Sequence, residues 1–128
     1  MKKGELIALN VAFGKLTLPD MRMEDLYPIL STKADIGEES DAIEAKAAKF
    51  RDDTKPKTAG DFEISLADPA NRDWWNKSMA MRARLLEEEA DTKVSPCIPR
   101  DFFAQMVKGL STNEATLLMR HLVKKEGQ

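Results

Sequence analysis

The stretch EDLYPILSTKADIGEESDAIEAKAAKFRDD, residues 24–53, decides the fold of this chain. It carries Ile29, Ile36, Ile43 and Phe50 at a strict seven-residue spacing, which keeps the four side chains on one slowly turning stripe of an α-helix. The spacing predicts one long amphipathic helix. Its stripe should pack against the rest of the chain or against a neighbouring molecule.

Three features of this stretch limit how the helix can pack. The second set of heptad positions is apolar only at its two ends, so the pattern does not predict a full coiled coil: Leu26, Lys33, Ser40, Ala47. Pro28 is compatible with the helix only in its first turn or at a kink. Gly37 costs about 1 kcal/mol relative to alanine in a helix interior.

Helical patterns also precede and follow the long helix. Apolar residues recur at helical spacing over 3–16, 69–89, a short segment after Pro99, and 112–124. Asp68-Pro69 is a good helix start, with aspartate as N-cap and proline at the first helical position. Ser111 and Glu114 have the spacing of a capping box.

The remaining segments connect these helices. Residues 54–60 contain Pro and Gly without apolar periodicity and predict a loop that reverses the chain. Residues 61–66 alternate polar and apolar side chains, which is compatible with a short strand or an ordered loop. Residues 92–98 contain a proline and are followed by another, which favours an extended strap.

The sequence therefore predicts a single, mainly α domain over residues 1–128. Helices near 21–53 and 69–89 should form a long antiparallel hairpin, because each has one apolar stripe and they are of comparable length. The shorter N- and C-terminal helices, near 3–16 and 112–124, should pack at the base of the hairpin with the strap. The acidic run 87–91 at the end of one hairpin helix is unfavourable near the negative pole of the helix dipole, so a basic neighbour or partner is expected there.

Composition excludes several classes of protein. The 128 residues carry 20 Lys and Arg against 22 Asp and Glu, a formal net charge of −2, so no global basic field favours non-specific nucleic-acid binding. No stretch approaches the roughly 20 apolar residues that span a bilayer, and the first residues do not resemble a signal peptide, so no membrane partner is expected. The single Cys97 cannot form an intramolecular disulfide, which suits the cytoplasm.

No arrangement of residues in the sequence indicates catalysis or a cofactor. The chain lacks the glycine-rich phosphate loops, the nucleophile elbow and the zinc-protease motif. His121 and Cys97 are the only His and Cys and cannot complete a tetrahedral metal site, so each is expected to be an ordinary helix or packing residue. We expect no enzyme activity, metal, cofactor or small-molecule ligand.

The sequence does indicate a protein interface. The apolar stripe of the long helix extends over about 32 Å, whereas large apolar groups of the partner helix extend over only about 18 Å. Part of the stripe should therefore be covered by a second copy of the chain or by another protein. Trp74 and Trp75 are either both core residues, or one of them anchors that interface. The predicted interface residues are Ile36, Ile43, Phe50, Trp74 and Trp75.

Several local patterns resemble a family of small helical proteins encoded in tailed-phage and prophage gene clusters, whose function is unknown. These patterns are Lys2-Lys3-Gly4-Glu5-Leu6 at a helix start, Leu18-Pro19 before a long charged helix, Leu85-Leu86-Glu87-Glu88-Glu89 before an extended strap, and Leu110-Ser111-Thr112-Asn113-Glu114-Ala115. The resemblance implies a role in virion assembly or another accessory role, and it carries over no catalytic residue.

The function expected from the sequence is that of a non-catalytic structural or assembly protein that uses long amphipathic helices for protein contacts. The alternative is a regulatory or nucleic-acid-binding module. That alternative requires four basic side chains to line one face of the third helix: Arg72, Lys77, Arg82 and Arg84. Nucleic-acid binding would then weaken steeply with added salt.

Overall fold

A computed structural model describes residues 1–56 and 67–125 of the chain. Five helices lie in these ranges: α1 (Lys3–Gly14), α2 (Met23–Asp53), α3 (Pro69–Leu86), α4 (Arg100–Met106) and α5 (Thr112–Leu122). The described residues form no β-strand and only two isolated bridges, so the prediction of a mainly α protein is confirmed. The predicted strand or ordered loop at 61–66 lies outside the described residues.

Helix α2 continues through both residues that weaken it. Pro28 is its sixth residue, beyond the first turn, and cannot donate a hydrogen bond to the carbonyl of Glu24. Its site is exposed, so water can bond that carbonyl instead. A Cβ added to Gly37 would lie 3.6 Å from Oδ1 of Asn10, which shows how closely α1 passes α2 at this point.

The helix starts predicted from capping residues are confirmed. Asp68 caps α3 by accepting a hydrogen bond from the backbone N–H of Ala70, with proline at the first position. Ser111 and Glu114 form the reciprocal pair of a capping box at the start of α5. Both ends follow from local chemistry, because each cap satisfies backbone donors that the first helical turn leaves unpaired.

Helix α1 lies at the centre of the molecule and packs against α2, α3 and α5. Its buried residues are Leu6, Leu9, Ala12 and Phe13. They join one hydrophobic core with side chains from the other helices and the strap: Ile29, Ile36, Ile43, Leu85, Ile98, Phe103, Met106, Leu118 and Leu122. The short N-terminal helix thus supplies much of the surface that the long helix buries.

Two polar contacts join α2 directly to α3. The indole Nε1 of Trp74 donates to the carbonyl oxygen of Arg51 at 2.8 Å, where α2 ends and α3 begins. Further from that end, Arg82 forms an ion pair with Glu44 at 2.6 Å. The later residue of α3, Arg82, therefore contacts an earlier residue of α2 than Trp74 does.

The acidic end of α3 meets a basic neighbour within the chain, one of the two alternatives that the sequence left open. Lys2 forms an ion pair with Glu87 at 2.5 Å, and Lys3 forms one with Glu88 at 3.0 Å. The backbone N–H of Lys3 also donates to the carbonyl of Glu88 at 2.8 Å. The start of α1 is thus attached to the end of α3 by charge and by backbone hydrogen bonding.

The strap after α3 runs to the end of α5. The backbone N–H groups of Cys97 and Ile98 both donate to the carbonyl of Leu122 at 2.8 Å, and Lys124 donates back to the carbonyl of Ile98. Cys97 and Ile98 are buried, whereas Pro96 is exposed. These bonds satisfy a carbonyl of the last turn of α5 that no helical donor can reach.

Candidate interaction surface

Two of the five predicted interface residues are core residues of a single chain. Ile36 is 0% exposed and Ile43 is 4% exposed. The expectation that this part of the stripe lacks an intramolecular partner is therefore wrong. The reason is that α1 also packs along α2, and its buried residues join Ile36 and Ile43 in one hydrophobic core.

The other three predicted interface residues lie near the junction of α2 and α3. Trp74 is 5% exposed and its indole bonds Arg51, so it packs within the chain. The ring of Trp75 meets that of Trp74 edge to face, with centroids 6.0 Å apart. Trp75 and Phe50 are each partly exposed. These two retain surface that another molecule could contact.

A different face of α2 exposes large apolar side chains. Met23, Tyr27 and Leu30 are 66%, 67% and 41% exposed. Their spacings of four and three residues align them along the helix, and at about 100° per residue they lie roughly 100–160° around it from Ile29. They therefore point away from the core.

This face continues into charged residues along the same helix. Ala34, Glu38 and Asp41 continue the row at spacings of four, four and three residues, and all three are exposed. We call the six residues Met23, Tyr27, Leu30, Ala34, Glu38 and Asp41 the exposed row. Its first half is apolar and its second half is acidic. This spacing is present in the sequence, but the seven-residue isoleucine pattern of the same helix is the stronger signal and predicts a different face.

The carboxylates at the acidic end of the exposed row have no partners within the described chain. The side-chain carboxylates of Glu38, Asp41 and the adjacent Asp35 form no ion pair and no hydrogen bond with another described residue. Asp35 and Glu38 also line an open groove of about 440 Å³, whose other wall includes Lys93. The negative charge of this end is therefore available to another molecule.

Glu39, beside the exposed row, has a structural role instead. Its carboxylate accepts hydrogen bonds from the backbone N–H groups of Asp91 at 2.8 Å and Thr92 at 2.5 Å. Burial favours the protonated form, but the hydrogen bonds from Thr92 and Asp91 outweigh it and lower the pKa of Glu39. The contact holds the start of the strap against α2.

The two residues considered for chemistry are both in structural contacts. Nε2 of His121 lies 2.6 Å from Oε1 of Glu5, joining α5 to α1, and this hydrogen bond lowers the pKa of Glu5. Cys97 is buried, and burial raises the pKa of its thiol, which disfavours the reactive thiolate. Within the described residues, no group of three or more His, Cys, Asp or Glu side chains is placed to hold a metal ion.

The basic face considered for nucleic-acid binding is partly neutralised. Lys77 pairs with Asp73 at 3.0 Å, and Arg82 pairs with Glu44. Ion pairs of this kind reduce the positive potential that a phosphate backbone would meet. In the described part of the chain, no helix has the length and apolar character to cross a membrane.

In comparisons with known proteins, no family model matches the sequence, no curated protein matches it, and no solved structure matches its fold.

Proposed function

We propose that this chain is a non-catalytic structural or assembly protein that binds another protein through its long helix α2. The apolar half of the exposed row carries the proposal. Met23 and Tyr27 are each about two-thirds exposed although large apolar side chains are usually withdrawn from water, and they are aligned with Leu30 on one face. Aligned exposed apolar groups on a helix are typical of a protein contact surface.

The packing around α2 supports this role. Its opposite face is held by the buried isoleucines and by α1, so the exposed row belongs to a helix whose rotation is determined by the core. The contacts of Arg51 with Trp74 and of Glu44 with Arg82 support an antiparallel hairpin of α2 and α3. A surface on such a helix is presented in one orientation, which reduces the entropy lost on binding.

We also propose that the protein is phage- or prophage-derived and acts in the cytoplasm. The first part rests on the resemblance of its helix-start and helix-end patterns to that family of small helical proteins. The second part is supported by Cys97, a single unpaired thiol that suits a reducing compartment.

Self-association is one form that this role can take. Phe50 and Trp75 are predicted interface residues that keep exposed surface, and each adjoins one partner of the hydrogen bond between Arg51 and Trp74. Sedimentation equilibrium tests it. A mass that stays at 14.4 kDa up to high micromolar concentration would exclude self-association and leave a different protein as the partner.

Site-specific photocrosslinking in the cell that encodes the protein tests the proposed function. A photoreactive residue at Tyr27 should give a discrete protein adduct. The same residue at Lys49, an exposed position of α2 whose side chain pairs with Asp53, serves as the matched control and should give none. A chain that is folded but gives no adduct at Tyr27, or gives equal adducts at both positions, would contradict the proposal.

A further inference from the structure

We propose that the exposed row docks an amphipathic helix of a partner protein that carries apolar side chains in its first contact turns and lysines or arginines beyond them. This inference rests on the proposed function and identifies the chemistry of its partner. It starts from the order of residues along α2. Met23, Tyr27 and Leu30 are exposed and apolar, while Glu38 and Asp41 follow on the same face.

The dimensions of the row suit a helix. From Met23 to Asp41 it extends over roughly 27 Å, or about five helical turns. Its residues are spaced by three and four positions, and side chains at this spacing form the ridges and grooves into which a second helix packs. A helical partner can therefore contact both the apolar half and the acidic half at once.

The charge of the row selects a basic partner. Between Met23 and Asp41 the sequence contains six carboxylates and one lysine. Asp35, Glu38 and Asp41 have no ion-pair partner within the described residues, so a docked lysine or arginine would not have to displace an existing bond. Complementary charges at the rim of an apolar contact raise the association rate and fix the orientation of the partner.

A second copy of this chain fits the row less well. Parallel pairing in register would place Glu38 and Asp41 against the same carboxylates of the other copy. Antiparallel pairing over the full length would place these carboxylates against Met23 and Tyr27. Pairing of the apolar halves alone covers roughly 10 Å of helix, too short to approach the surface of about 800 Å² per partner that stable complexes bury.

Fluorescence anisotropy with the purified full chain tests the inference. The probes are labelled synthetic helical peptides with the same leucine stripe, one with lysines beside the stripe and one with glutamates at those positions. At about 0.05 M salt the lysine peptide should bind at least roughly tenfold more tightly, and the ratio should fall towards one at about 1 M salt as screening increases. Equal binding of the two peptides at low salt, or no binding of the lysine peptide, would overturn it.

Variants locate the binding to the exposed row. Tyr27→Ser should weaken binding of the lysine peptide by roughly tenfold, as expected for a large aromatic side chain at the centre of the apolar half of the row. The double variant Glu38→Lys with Asp41→Lys should reverse the preference between the peptides. The matched control is Asp52→Lys, which changes a charge on the same helix about 16 Å beyond the acidic end of the row. The control should change the peptide preference less, per charge changed, than the double variant does. Equal effects per charge would overturn the inference, because they would show that the net charge of the protein alone determines the preference.

Two further outcomes complete the test. Circular dichroism must show unchanged helix content in each variant, and a charge reversal that fails to fold is replaced by Glu38→Gln with Asp41→Gln, which should abolish the preference for lysine. Stronger binding to anionic lipid vesicles than to the lysine peptide would overturn the inference in favour of a membrane surface. A crosslinked protein at Tyr27 without binding of the lysine peptide would refute this inference and leave the proposed function intact.

Discussion

Two substitutions on α2 test which of its faces is the core. Ile36 is 0% exposed and Tyr27 is 67% exposed, although both are large apolar residues of one helix. Truncating Ile36 to alanine removes three buried carbon atoms, which corresponds to roughly 2.4 kcal/mol of lost transfer free energy at about 0.8 kcal/mol each. The cavity left behind raises the expected loss of stability to about 2.5–4.5 kcal/mol.

Tyr27→Ala should change the free energy of unfolding by less than about 0.5 kcal/mol, because that side chain makes little contact with the core. Urea unfolding followed by circular dichroism measures both values on one scale. Ile36→Val gives a graded control, with an expected loss of about 0.5–1.5 kcal/mol for a single methylene. A loss under about 1 kcal/mol for Ile36→Ala, or a loss above it for Tyr27→Ala, would refute the orientation of α2.

Three further changes should affect stability, and urea unfolding measures each. Gly37→Ala should stabilise the protein by up to about 1 kcal/mol through helix propensity, since the new methyl group would meet only a side-chain oxygen of α1 at 3.6 Å. Trp74→Phe should cost about 0.5–1.5 kcal/mol for the lost hydrogen bond, because it leaves the partly buried carbonyl of Arg51 without its donor. The hydrogen bond from His121 lowers the pKa of Glu5 below its ordinary value of 4.5, so its stabilising contribution is present above that pH and is lost as the pH falls through the lowered pKa. Glu5→Gln should flatten this acid-side loss.

Each of these expectations has a comparison that can contradict it. Gly109→Ala should destabilise the chain, because φ there is 88° and strains any residue with a Cβ. A gain at both glycines would show that the turn is not as described. Trp75→Phe should cost less than Trp74→Phe, since Trp75 is partly exposed. An acid-side slope that is the same with and without Glu5 would show that its contact with α5 does not persist in solution.

Local patterns were enough to predict the helices and several of their ends. The start of α3 at Asp68-Pro69 and the capping box of Ser111 and Glu114 depend on contacts within four residues, so they were visible before any packing was known. The need for basic neighbours at the acidic end of α3 was also predictable from the helix dipole. The identity of these neighbours was not predictable, because Lys2 and Lys3 are about 85 positions away in the sequence.

Whether Ile36 and Ile43 are covered within the chain could not be predicted by the same means. The seven-residue pattern identified Ile36 and Ile43 as members of a stripe that must be covered, and that part was sound. The pattern did not show whether another helix of the same chain or a second molecule covers the stripe. Met23, Tyr27 and Leu30, the apolar half of the exposed row, have the same kind of helical spacing, so spacing alone does not determine which of the two faces turns inward.

The sequence by itself determined the helical character of this protein, the length of α2 and the capped starts of α3 and α5, because these depend on periodicity and on hydrogen bonds between near neighbours. Only the tertiary structure decided that α1 covers the isoleucine stripe and that the apolar and acidic row lies on the opposite face. A helix with two apolar faces can be buried on either one. The choice depends on the summed packing of side chains far apart in the chain, which no local pattern contains.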